Sequence, residues 1–536
     1  GVTEQRPIFN HVDNVEAWLF HFNTAIEVSA NNSEECKKNL EQLFLEESYW
    51  KDALALTWCL ETYCGASLIA EKLQHTTAEN SIGQLELDKN ATPPSIVNRA
   101  GKDVIEAFLT FNTSVARCRG ILRLSPDNGE PAGLRAWTFF TAIDALVGFE
   151  EKTHGNRPTG ESYSRDFRGP NWLDQRIAAA GYTDREPDVL VVGGGQAGLS
   201  IAARLTQLGV DTLIVDRNKR VGDNWRNRYH ALTLHNQLHV NHLPYMPFPP
   251  TWPTYIPKDM LALWFESYAA AMELNFWCDM DVTSASFDDK QHRWLVELST
   301  ADGTQRKISP RHMVMATGVS GIPNLPDIEG LSSFAGPKIH SSQYKDGDDW
   351  SGKRAIVIGC GNSGHDIAQD LHSSGASVTM IQRNPSLVVN IEPSAQFPYK
   401  LYDEGRSNDE CDFITTSMPT PLVKQAHRHF TKAAQSADKT LLEGLKNIGF
   451  KLDFGDDNTG WQFKYLTRGG GYYFNVGCSN LLVDGKIDLV QFGQIDHFTQ
   501  TGMIMSDGKK IEACLLYTSD AADEGLGVDL GGRRII

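Results

Sequence analysis

The sequence predicts an α/β protein with two Rossmann-type dinucleotide-binding domains, preceded by an α+β domain. Two glycine fingerprints carry this prediction, GGGQAG from Gly193 and GCGNSG from Gly359. Each follows an apolar run and opens a helix-forming stretch, which is the context that makes such a loop a phosphate site. The third observation is a change of texture, because roughly the first 185 residues place helical patterns before long strand-like runs.

Residues 1–152 are predicted to form the α+β domain. Apolar residues recur at spacings of three and four over Val15–Ala30 and Cys36–Tyr49, which predicts two amphipathic helices. Three later runs, rich in Phe, Val, Leu and Thr, predict strands that wrap around a helix. These runs are Val104–Thr113, Ala116–Leu124 and Leu134–Ile143. Residues 153–186 are predicted to be a linker, since they begin with a stretch rich in Gly, Pro, Ser and charge.

The first fingerprint is predicted to bind FAD within residues 187–345. Gly193 permits the tight turn, Gly195 lets the backbone approach the pyrophosphate, and Gly198 allows the helix to pack closely on the strand. The N–H groups at the start of that helix then face the phosphate. Asp216 ends the next strand, near the spacing of about 20 residues at which a carboxylate meets a ribose hydroxyl. The alternative for Asp216 is an acid that only solvates a strand end.

The second fingerprint is predicted to bind NADPH within residues 346–470. Its three glycines are Gly359, Gly361 and Gly364. Asn362 and Ser363 are candidate partners of the pyrophosphate. The next strand leads into Arg383 and not into an acid; a carboxylate there would repel a 2′-phosphate, whereas a guanidinium binds it through paired charge-assisted hydrogen bonds. This favours NADPH over NADH, with a merely solvated Arg383 as the alternative.

Composition narrows the class of protein. The net charge of −17 argues against nucleic acid or an anionic membrane as a partner. No apolar run approaches the ~20 residues that span a bilayer, so we predict no transmembrane segment. The nine cysteines are scattered without a CxxC pair, which indicates reduced thiols in the cytoplasm and argues against a flavin disulfide reductase.

Four residues between the fingerprints fit the pattern FxGxxxHxxx(Y/F): Phe334, Gly336, His340 and Tyr344. With a glycine fingerprint on either side, this pattern resembles the signature of class B flavin-dependent monooxygenases. Tyr344, where Baeyer–Villiger enzymes typically carry Trp, favours the flavin-containing and YUCCA-like branches, and Leu243–Ala269 is similar to the YUCCA-like segment. The resemblance covers residues 187–513. In the first domain, LEQLFLEESYWKDALALTW resembles the NTF2-like (SnoaL-like) cone fold.

The resemblance implies further cofactor contacts. They are Gln196, Trp225 in a GGxW-like element, Val282 on a strand beside the adenine, Gly318 beneath the flavin, and His340. In this family the signature histidine shapes the linker between the nucleotide domains and does not perform the chemistry. His340 is therefore expected to be a structural or cofactor-positioning residue.

The resemblance also implies the reaction, in which the cofactors do the chemistry. NADPH reduces the flavin, O2 adds to it as a C4a-hydroperoxide, and one oxygen atom passes to a small organic substrate. The open substrate classes are an amine, a sulfide or an α-keto acid that is oxidatively decarboxylated. The family places a flavin-facing asparagine in the segment Thr233–Pro249, where Asn236 is the first candidate and Asn241 the second. An ordinary turn asparagine is the alternative for both.

Three histidines in that segment, His235, His239 and His242, have spacings that suggest a metal. Proline breaks the region, no carboxylate supports it, and the mechanism needs no metal, so none is predicted. The competing function is an NADPH oxidase that releases peroxide and carries a non-catalytic N-terminal binding or assembly domain. A third possibility makes that domain an isomerase or dehydratase using Asp52 and His21, although packing or homodimerisation is the favoured role.

The end of the sequence is expected to be foreign. Residues 471–513 are predicted to return toward the FAD domain without completing it. From Cys514 the chain reads CLLYTSDAADEGLGVDLGGRRII, which looks like translated sequencing adapter, so residues 514–536 are predicted to be a non-native, adapter-derived tail and are left out of the fold prediction. Because the chain also begins at Gly1 without Met, a fragment is expected at both ends.

Overall fold

The computed structural model describes residues 11–29, 32–127, 130–159, 166–318, 323 and 325–518. Two compact units make up the chain. The first unit is Gly1–Glu151 with Leu401–His427, and the second unit is Lys152–Lys400 with Arg428–Ile536. Within the described ranges, no helix is long and apolar enough to cross a membrane.

The first unit packs three helices on a seven-stranded sheet. The helices are α1 His11–Ser29, α2 Ser33–Glu41 and α3 Ala66–Glu79. The strands are β1 Phe44–Ala53, β2 Leu60–Cys64, β3 Glu86–Leu87, β4 Ser95–Arg99, β5 Lys102–Asn112, β6 Ala116–Asp127 and β7 Glu130–Leu146. The sheet runs β2-β1-β7-β6-β5-β3, with β4 paired to β5, and the long strands β5, β6 and β7 form an antiparallel meander.

Four of the five elements predicted in this unit are confirmed, namely the first helix and the three long strands. The predicted last residue of that helix, Ala30, lies outside the described ranges. The predicted helix Cys36–Tyr49 is wrong in its second half, because α2 ends at Glu41 and β1 begins at Phe44. Apolar positions in that stretch fit a helical spacing, but parallel pairing of β1 with β7 decides the outcome.

Aromatic side chains fill the space between the helices and the sheet of the first unit. Trp18 and Phe22 on α1 stack with ring centroids 5.2 Å apart, and Trp18 meets Phe44 at 5.9 Å. Phe139 on β7 lies 5.7 Å from Phe22 and 6.3 Å from Phe44. All four side chains are buried. The interior of this unit is therefore a packed core.

The second unit begins with the first Rossmann part, residues 166–318. Its helices are α4 Trp172–Gly181, α5 Gln196–Gln207, α6 Asp223–Arg226 and α7 Lys258–Ala271. Its strands are β8 Val189–Val192, β9 Thr212–Val215, β10 Asn275–Trp277, β11 Asp281–Asp288, β12 Arg293–Ser299, β13 Gln305–Ile308 and β14 His312–Met315. A parallel sheet runs β10-β9-β8-β14, and β11, β12 and β13 form a separate antiparallel sheet. The predicted linker thus ends in a helix, α4.

The second Rossmann part comprises residues 325–400 and 428–518. The strands are β15 Lys338–His340, β16 Arg354–Ile358, β17 Ser377–Gln382, β18 Leu387–Asn390, β19 Tyr472–Asn475, β20 Asp488–Gln491, β21 Ile495–Thr499, β22 Gly502–Met505, β23 Lys510–Glu512 and β24 Leu515–Thr518. From residue 319 onward the helices are α8 Asn362–Ser373, α9 Asn408–Ser417, α10 Thr420–Ala437, α11 Lys439–Asn447, α12 Gly460–Arg468 and α13 Cys478–Val483. A parallel sheet runs β15-β24-β16-β17-β20.

The end of the described chain differs from its predicted role in two ways. No described strand of residues 471–513 joins the sheet of the first Rossmann part; β20 instead pairs with β17. Leu515–Thr518, which belongs to the predicted non-native tail and has no place in the predicted fold, forms β24 between β15 and β16. A central parallel strand needs only a short, apolar run, and Leu515, Leu516 and Tyr517 supply one with no exposed surface. Residues 519–536 of the predicted tail lie outside the described ranges.

The segment Leu401–His427 interrupts the predicted domain 346–470 and belongs to the first unit. Phe413 on α9 packs against Phe140 on β7, with ring centroids 5.3 Å apart. Ser417 accepts a hydrogen bond of 2.8 Å from the buried guanidinium of Arg123. Arg123 and Ser417 are 294 positions apart in the sequence. No local sequence pattern indicates contacts over such a separation.

Candidate cofactor and substrate site

The first glycine loop separates glycines that the fold requires from one that it does not. Gly193 has φ +105°, and a Cβ there would lie 2.3 Å from the Ala316 carbonyl oxygen. A Cβ on Gly198 would lie 1.9 Å from the Gly193 carbonyl oxygen. Gly195 has φ −80°, and a Cβ there would meet, among the described residues, only the Asn224 side chain, whose Nδ2 would lie 3.0 Å away. The space at Gly195, over the start of α5, fits a pyrophosphate that approaches the backbone.

The second loop repeats this arrangement. Gly359 has φ +119°, and a Cβ on Gly364 would lie 2.3 Å from the Gly359 carbonyl oxygen. Gly361 has φ −85°, and a Cβ there would have no atom of the described residues within 4 Å. Neither α5 nor α8 has a side chain that caps its N-terminus. Uncapped N–H groups beside an open glycine fit an anionic ligand at each helix start.

Three predicted FAD contacts lie together beside the first loop. Asp216 accepts hydrogen bonds of 2.7 Å from the N–H groups of Gly194 and Asn218. Trp225 Nε1 donates to Gln196 Oε1 at 3.3 Å. Each carboxylate oxygen of Asp216 keeps a lone pair for a ribose hydroxyl, because one hydrogen bond uses only one of its two.

Two further predicted FAD contacts lie at strand ends of the same part. Gly318 follows β14, the neighbour of β8, and has φ +77°. Val282 lies on β11, just beyond Met280, whose N–H donates to the Asp216 carbonyl at 2.9 Å. The strand that carries Val282 thus begins next to Asp216, the predicted ribose ligand. A contact of Val282 with adenine stays a prediction.

The end of β17 binds the backbone of Lys451 through Gln382, the residue before Arg383. Gln382 is fully buried; its Nε2 donates to the Lys451 carbonyl at 2.8 Å, and its Oε1 accepts the Lys451 N–H at 2.8 Å. Both backbone groups of Lys451 are therefore bound one residue before Arg383. Sequence reasoning missed Lys451, because it follows α11 and no motif marks it.

Asn362 and Ser363 lie in the first turn of α8, as predicted for pyrophosphate partners. The side chain of Asn362 also has a structural role, since its Oδ1 accepts the Phe474 N–H at 3.0 Å. This hydrogen bond ties the second glycine loop to β19. Contact of either side chain with a phosphate stays a prediction.

The two candidate asparagines have different surroundings. Asn241 Nδ2 donates to the backbone carbonyls of Asn236 at 3.2 Å and Gln237 at 3.0 Å, so its amide holds the loop. The Oδ1 atom of Asn236 is buried, with no hydrogen-bond partner among the described residues. A buried polar atom without a partner needs an explanation, and a ligand at this site is one. Asn236 therefore fits a ligand-facing role better than Asn241.

The ring of His235, next to Asn236, packs on an aromatic cluster that consists of Trp461, Tyr472 and Phe474. Its centroid lies 4.7 Å from that of Phe474, edge to face, and Trp461 meets the other side of the cluster at 4.7 Å from Phe474. Burial lowers the pKa of His235 to about 4, so the ring is neutral at pH 7. The histidine spacing seen in the sequence thus serves packing at His235.

Three of the four fixed residues of the signature, Phe334, His340 and Tyr344, are buried, and Gly336 is half-buried. Phe334 lies in the core, and a Cβ on Gly336 would lie 2.6 Å from the Cys514 carbonyl oxygen. His340 is buried on β15, where its Nδ1 accepts the Ser342 N–H at 3.2 Å. Tyr344 donates to Asp370 at 2.6 Å. The predicted positioning role of His340 is not tested by these contacts.

Two parallel sheets, each with a glycine loop that opens an uncapped helix, define a dinucleotide-dependent oxidoreductase. Residues 190–398 match the family model described as pyridine nucleotide-disulphide oxidoreductase. All nine cysteines are free thiols, and the sequence has no CxxC pair, so disulfide chemistry has no support here.

The more specific family follows from curated relatives. The chain is 32% identical over 326 residues to indole-3-pyruvate monooxygenase YUCCA1 of Oryza sativa subsp. japonica, covering 60% of this chain and 74% of the relative. It is 37% identical over 328 residues to probable indole-3-pyruvate monooxygenase YUCCA4 of Arabidopsis thaliana, covering 61% and 73%. The chain is also similar to a crystal structure of cyclohexanone monooxygenase from Rhodococcus sp. Phi1 bound to NADP+, with 19% identity and a TM-score of 0.46. This similarity covers 62% of this chain and 70% of that one.

The chain belongs to the flavin-dependent monooxygenase family. It is an NADPH- and FAD-dependent enzyme that inserts one oxygen atom from O2 into a substrate. The predicted reaction type and both predicted cofactors are thereby confirmed. The roles of the individual site residues stay predictions. The open positions at Gly195 and Gly361 fit the binding of two dinucleotides.

Proposed function

We propose that this enzyme oxidatively decarboxylates an aromatic α-keto acid and that Asn236 faces the reacting centre. The observation that carries the proposal is the buried Oδ1 of Asn236, which has no partner among the described residues and follows His235, whose ring packs on the aromatic cluster. The aromatic cluster makes the surroundings of this loop apolar, which suits an aromatic substrate and keeps water from the reaction. Two relatives that carry indole-3-pyruvate in their names support the same substrate class.

The reaction balances without any further reactant. An α-keto acid, O2, NADPH and one proton give the carboxylic acid shortened by one carbon, CO2, water and NADP+. Bound NADPH and FAD supply the hydride and the activation of oxygen. The protein's own residues bind and orient: the open positions at Gly195 and Gly361 admit the two pyrophosphates, and Arg383 with Lys451 forms the cationic end for a 2′-phosphate.

Asn236 has a separate task from the cofactor-binding residues. An amide fixed in a buried loop donates or accepts a hydrogen bond with little reorganisation during the reaction. Asn241 holds that loop through two backbone carbonyls, and neutral His235 contributes apolar surface in place of charge. The arrangement suits a substrate whose reacting carbonyl must be oriented while its ring is held by stacking.

For the N-terminal domain we propose an NTF2-like cone that packs or forms a homodimer and does not catalyse. The element order α1-α2-β1-β2-α3 followed by a long meander supports the cone. Asp52 is fully buried and already accepts hydrogen bonds from Thr141 Oγ1, Thr57 Oγ1 and the Leu56 N–H, whereas His21 is exposed on α1. A buried carboxylate that already accepts these three hydrogen bonds does not fit a catalytic pair with an exposed histidine. A cytoplasmic location is part of the same proposal and rests on the nine free thiols.

The test compares substrates on the FAD-loaded full chain. NADPH consumption, CO2 release and peroxide are measured with phenylpyruvate, a tertiary amine and an organic sulfide. We expect CO2 in proportion to NADPH with the keto acid alone. Oxygenated amine or sulfide as the main product would overturn the substrate class, and peroxide equal to NADPH with every compound would favour the oxidase alternative.

A further inference from the structure

Two aspartates on one face of α8 each bind a tyrosine from outside that helix. Asp366 and Asp370 are one helical turn apart, so they lie one above the other on its surface. Tyr229 Oη donates to Asp366 Oδ2 at 2.6 Å, and Tyr344 Oη donates to Asp370 Oδ2 at 2.6 Å. Two bonds at this spacing fix both the position of α8 and its rotation about its own axis, which one bond alone does not.

The two tyrosines come from different segments of the chain, and both are buried in the core of the second sheet. Tyr229 belongs to the first Rossmann part and lies between Trp225 and Asn236, the candidate residues of the flavin site. Tyr344 ends the family signature. The two segments also bind each other, since the His230 N–H donates to the Lys345 carbonyl at 2.8 Å.

Helix α8 begins at the second glycine loop, so a displacement of α8 displaces whatever the loop binds. We propose that Tyr229 and Asp366, with Tyr344 and Asp370 beside them, are positioning residues that hold the NADPH-binding helix against the flavin-binding segment for hydride transfer. This inference rests on the proposed assignment of NADPH to the second loop. Hydride transfer depends steeply on the alignment of donor and acceptor, so a small displacement slows it strongly.

Asp366 remains charged at pH 7 in unfavourable surroundings. Burial is the main cause that raises the pKa of Asp366 to about 6. The hydrogen bond from Tyr229 lowers this pKa, whereas the negative charge of Asp370 raises it further. The other titratable groups that face it are Tyr473 and Cys478, both buried. An ionised carboxylate in such a site reduces stability near neutral pH, and this cost is better explained by a functional role than by a stabilising one.

The experiment uses Tyr229→Phe, which removes one hydroxyl and keeps the ring, in the FAD-loaded full chain. Stopped-flow reduction by saturating NADPH should slow on the order of tenfold, with FAD content unchanged. Asp366→Ala, which removes the acceptor, should slow it similarly, and the double variant no further, because both changes delete one bond. A readout without turnover is hydrogen exchange of residues 362–373 in the absence of NADPH, where protection should fall on the order of tenfold.

Tyr182→Phe is the matched control. Tyr182 Oη donates to Asp211 Oδ1 at 2.7 Å, so this change removes a partly buried tyrosine–aspartate bond within the first Rossmann part, and we expect an unchanged rate of reduction. Tyr344→Phe replaces Tyr229→Phe if the latter does not fold, with the same expected fall. Unchanged reduction and unchanged exchange in these variants would overturn this inference alone. An unmodified, FAD-loaded protein that NADPH does not reduce would overturn the NADPH assignment as well.

Discussion

At the scale of single residues, the clearest evidence of function is at Gly195 and Gly361. Both have φ values near −80°, which every residue type adopts, and neither is crowded by backbone atoms. By contrast, Gly193 and Gly359 have φ above +100° and are required by the turn itself. The second glycine of each loop is therefore explained by a ligand, whereas the first is explained by the fold.

This difference predicts a separation of cofactor loss from unfolding. Gly195→Val should abolish FAD binding, because the side chain fills the space for the pyrophosphate, while the melting temperature of the FAD-free protein changes little. Gly361→Val should keep FAD and lose NADPH binding. Flavin absorbance per chain and thermal unfolding of the FAD-free protein report the two effects. Full flavin content in Gly195→Val would refute the assignment of the first loop.

Asn236→Ala should uncouple the enzyme. Removing one preorganised hydrogen-bonding group typically costs ~10²–10³ in the step it serves, so NADPH is still consumed while peroxide replaces the oxygenated product. The ratio of product to NADPH measures this directly. Asn241→Ala is the comparison, expected to loosen the loop and lower flavin content without such uncoupling. If Asn236→Ala stays coupled, the role passes to Asn241 or to another residue.

At the scale of elements, the end of β17 joins a predicted residue to one that no motif marks. Gln382 binds both backbone groups of Lys451, which fixes the backbone of this cation next to the residue that precedes Arg383. Arg383→Ala and Lys451→Ala should each raise KM for NADPH roughly tenfold or more with a smaller change in kcat, because a charge-assisted contact remote from the reacting carbon is lost. Lys446→Ala, an exposed cation on α11, is the control. Equal KM values for NADPH and NADH in the unmodified enzyme would contradict the assignment.

The contact between the first unit's sheet and α9 depends on a buried ionic group. Arg123 and Arg99 bind Glu106 at 2.8 Å each. Burial by itself would raise the pKa of Glu106, but the two guanidiniums outweigh it and hold that pKa at about 2. The stability that ionised Glu106 adds to the folded first unit is therefore fully present above pH 4.5, the ordinary pKa of the group, and is lost as the pH falls toward 2.

Glu106→Gln should destabilise the first unit by about 3–5 kcal/mol at pH 7, because two buried guanidiniums lose their counter-charge. The difference from the unmodified protein should shrink at pH 3. Urea unfolding at the two pH values measures both effects. Glu71→Gln, which removes an exposed partner of Lys37 at 3.4 Å, should cost ~0–1 kcal/mol. A similarly small effect of Glu106→Gln would refute the buried ionic group.

Sequence patterns predicted elements where local rules decide and failed where distant pairing decides. The strands and loops around Gly193 and Gly359 follow from short motifs with fixed backbone geometry. The stretch that became β1 also fits a helix, and only pairing with β7 selects the strand. The placement of α9 on the first unit's sheet depends on Phe413 and Ser417 meeting partners far away in sequence, which periodicity does not contain.

At the scale of the whole molecule, the second sheet depends on the last described strand. β24 lies between β15 and β16, so it joins the signature segment to the strand that carries the second glycine loop. Gly336 is in close contact with the start of this strand, at the Cys514 carbonyl. The stretch read from sequence as a foreign tail thus fills a central place in the nucleotide-binding sheet.

Leu516→Ala should therefore destabilise the second unit by about 2–5 kcal/mol, as expected for a fully buried leucine in a packed core. Leu516→Ile keeps both apolar volume and strand propensity and should cost less than about 1.5 kcal/mol. Because β24 supports the segment before Gly359, the alanine variant should also weaken NADPH binding, whereas the isoleucine variant should not. Urea unfolding with a flavin probe, together with NADPH titration, tests both statements. Identical unfolding midpoints for Leu516→Ala and the unmodified protein would mean that residues 515–518 do not form the inner strand in solution.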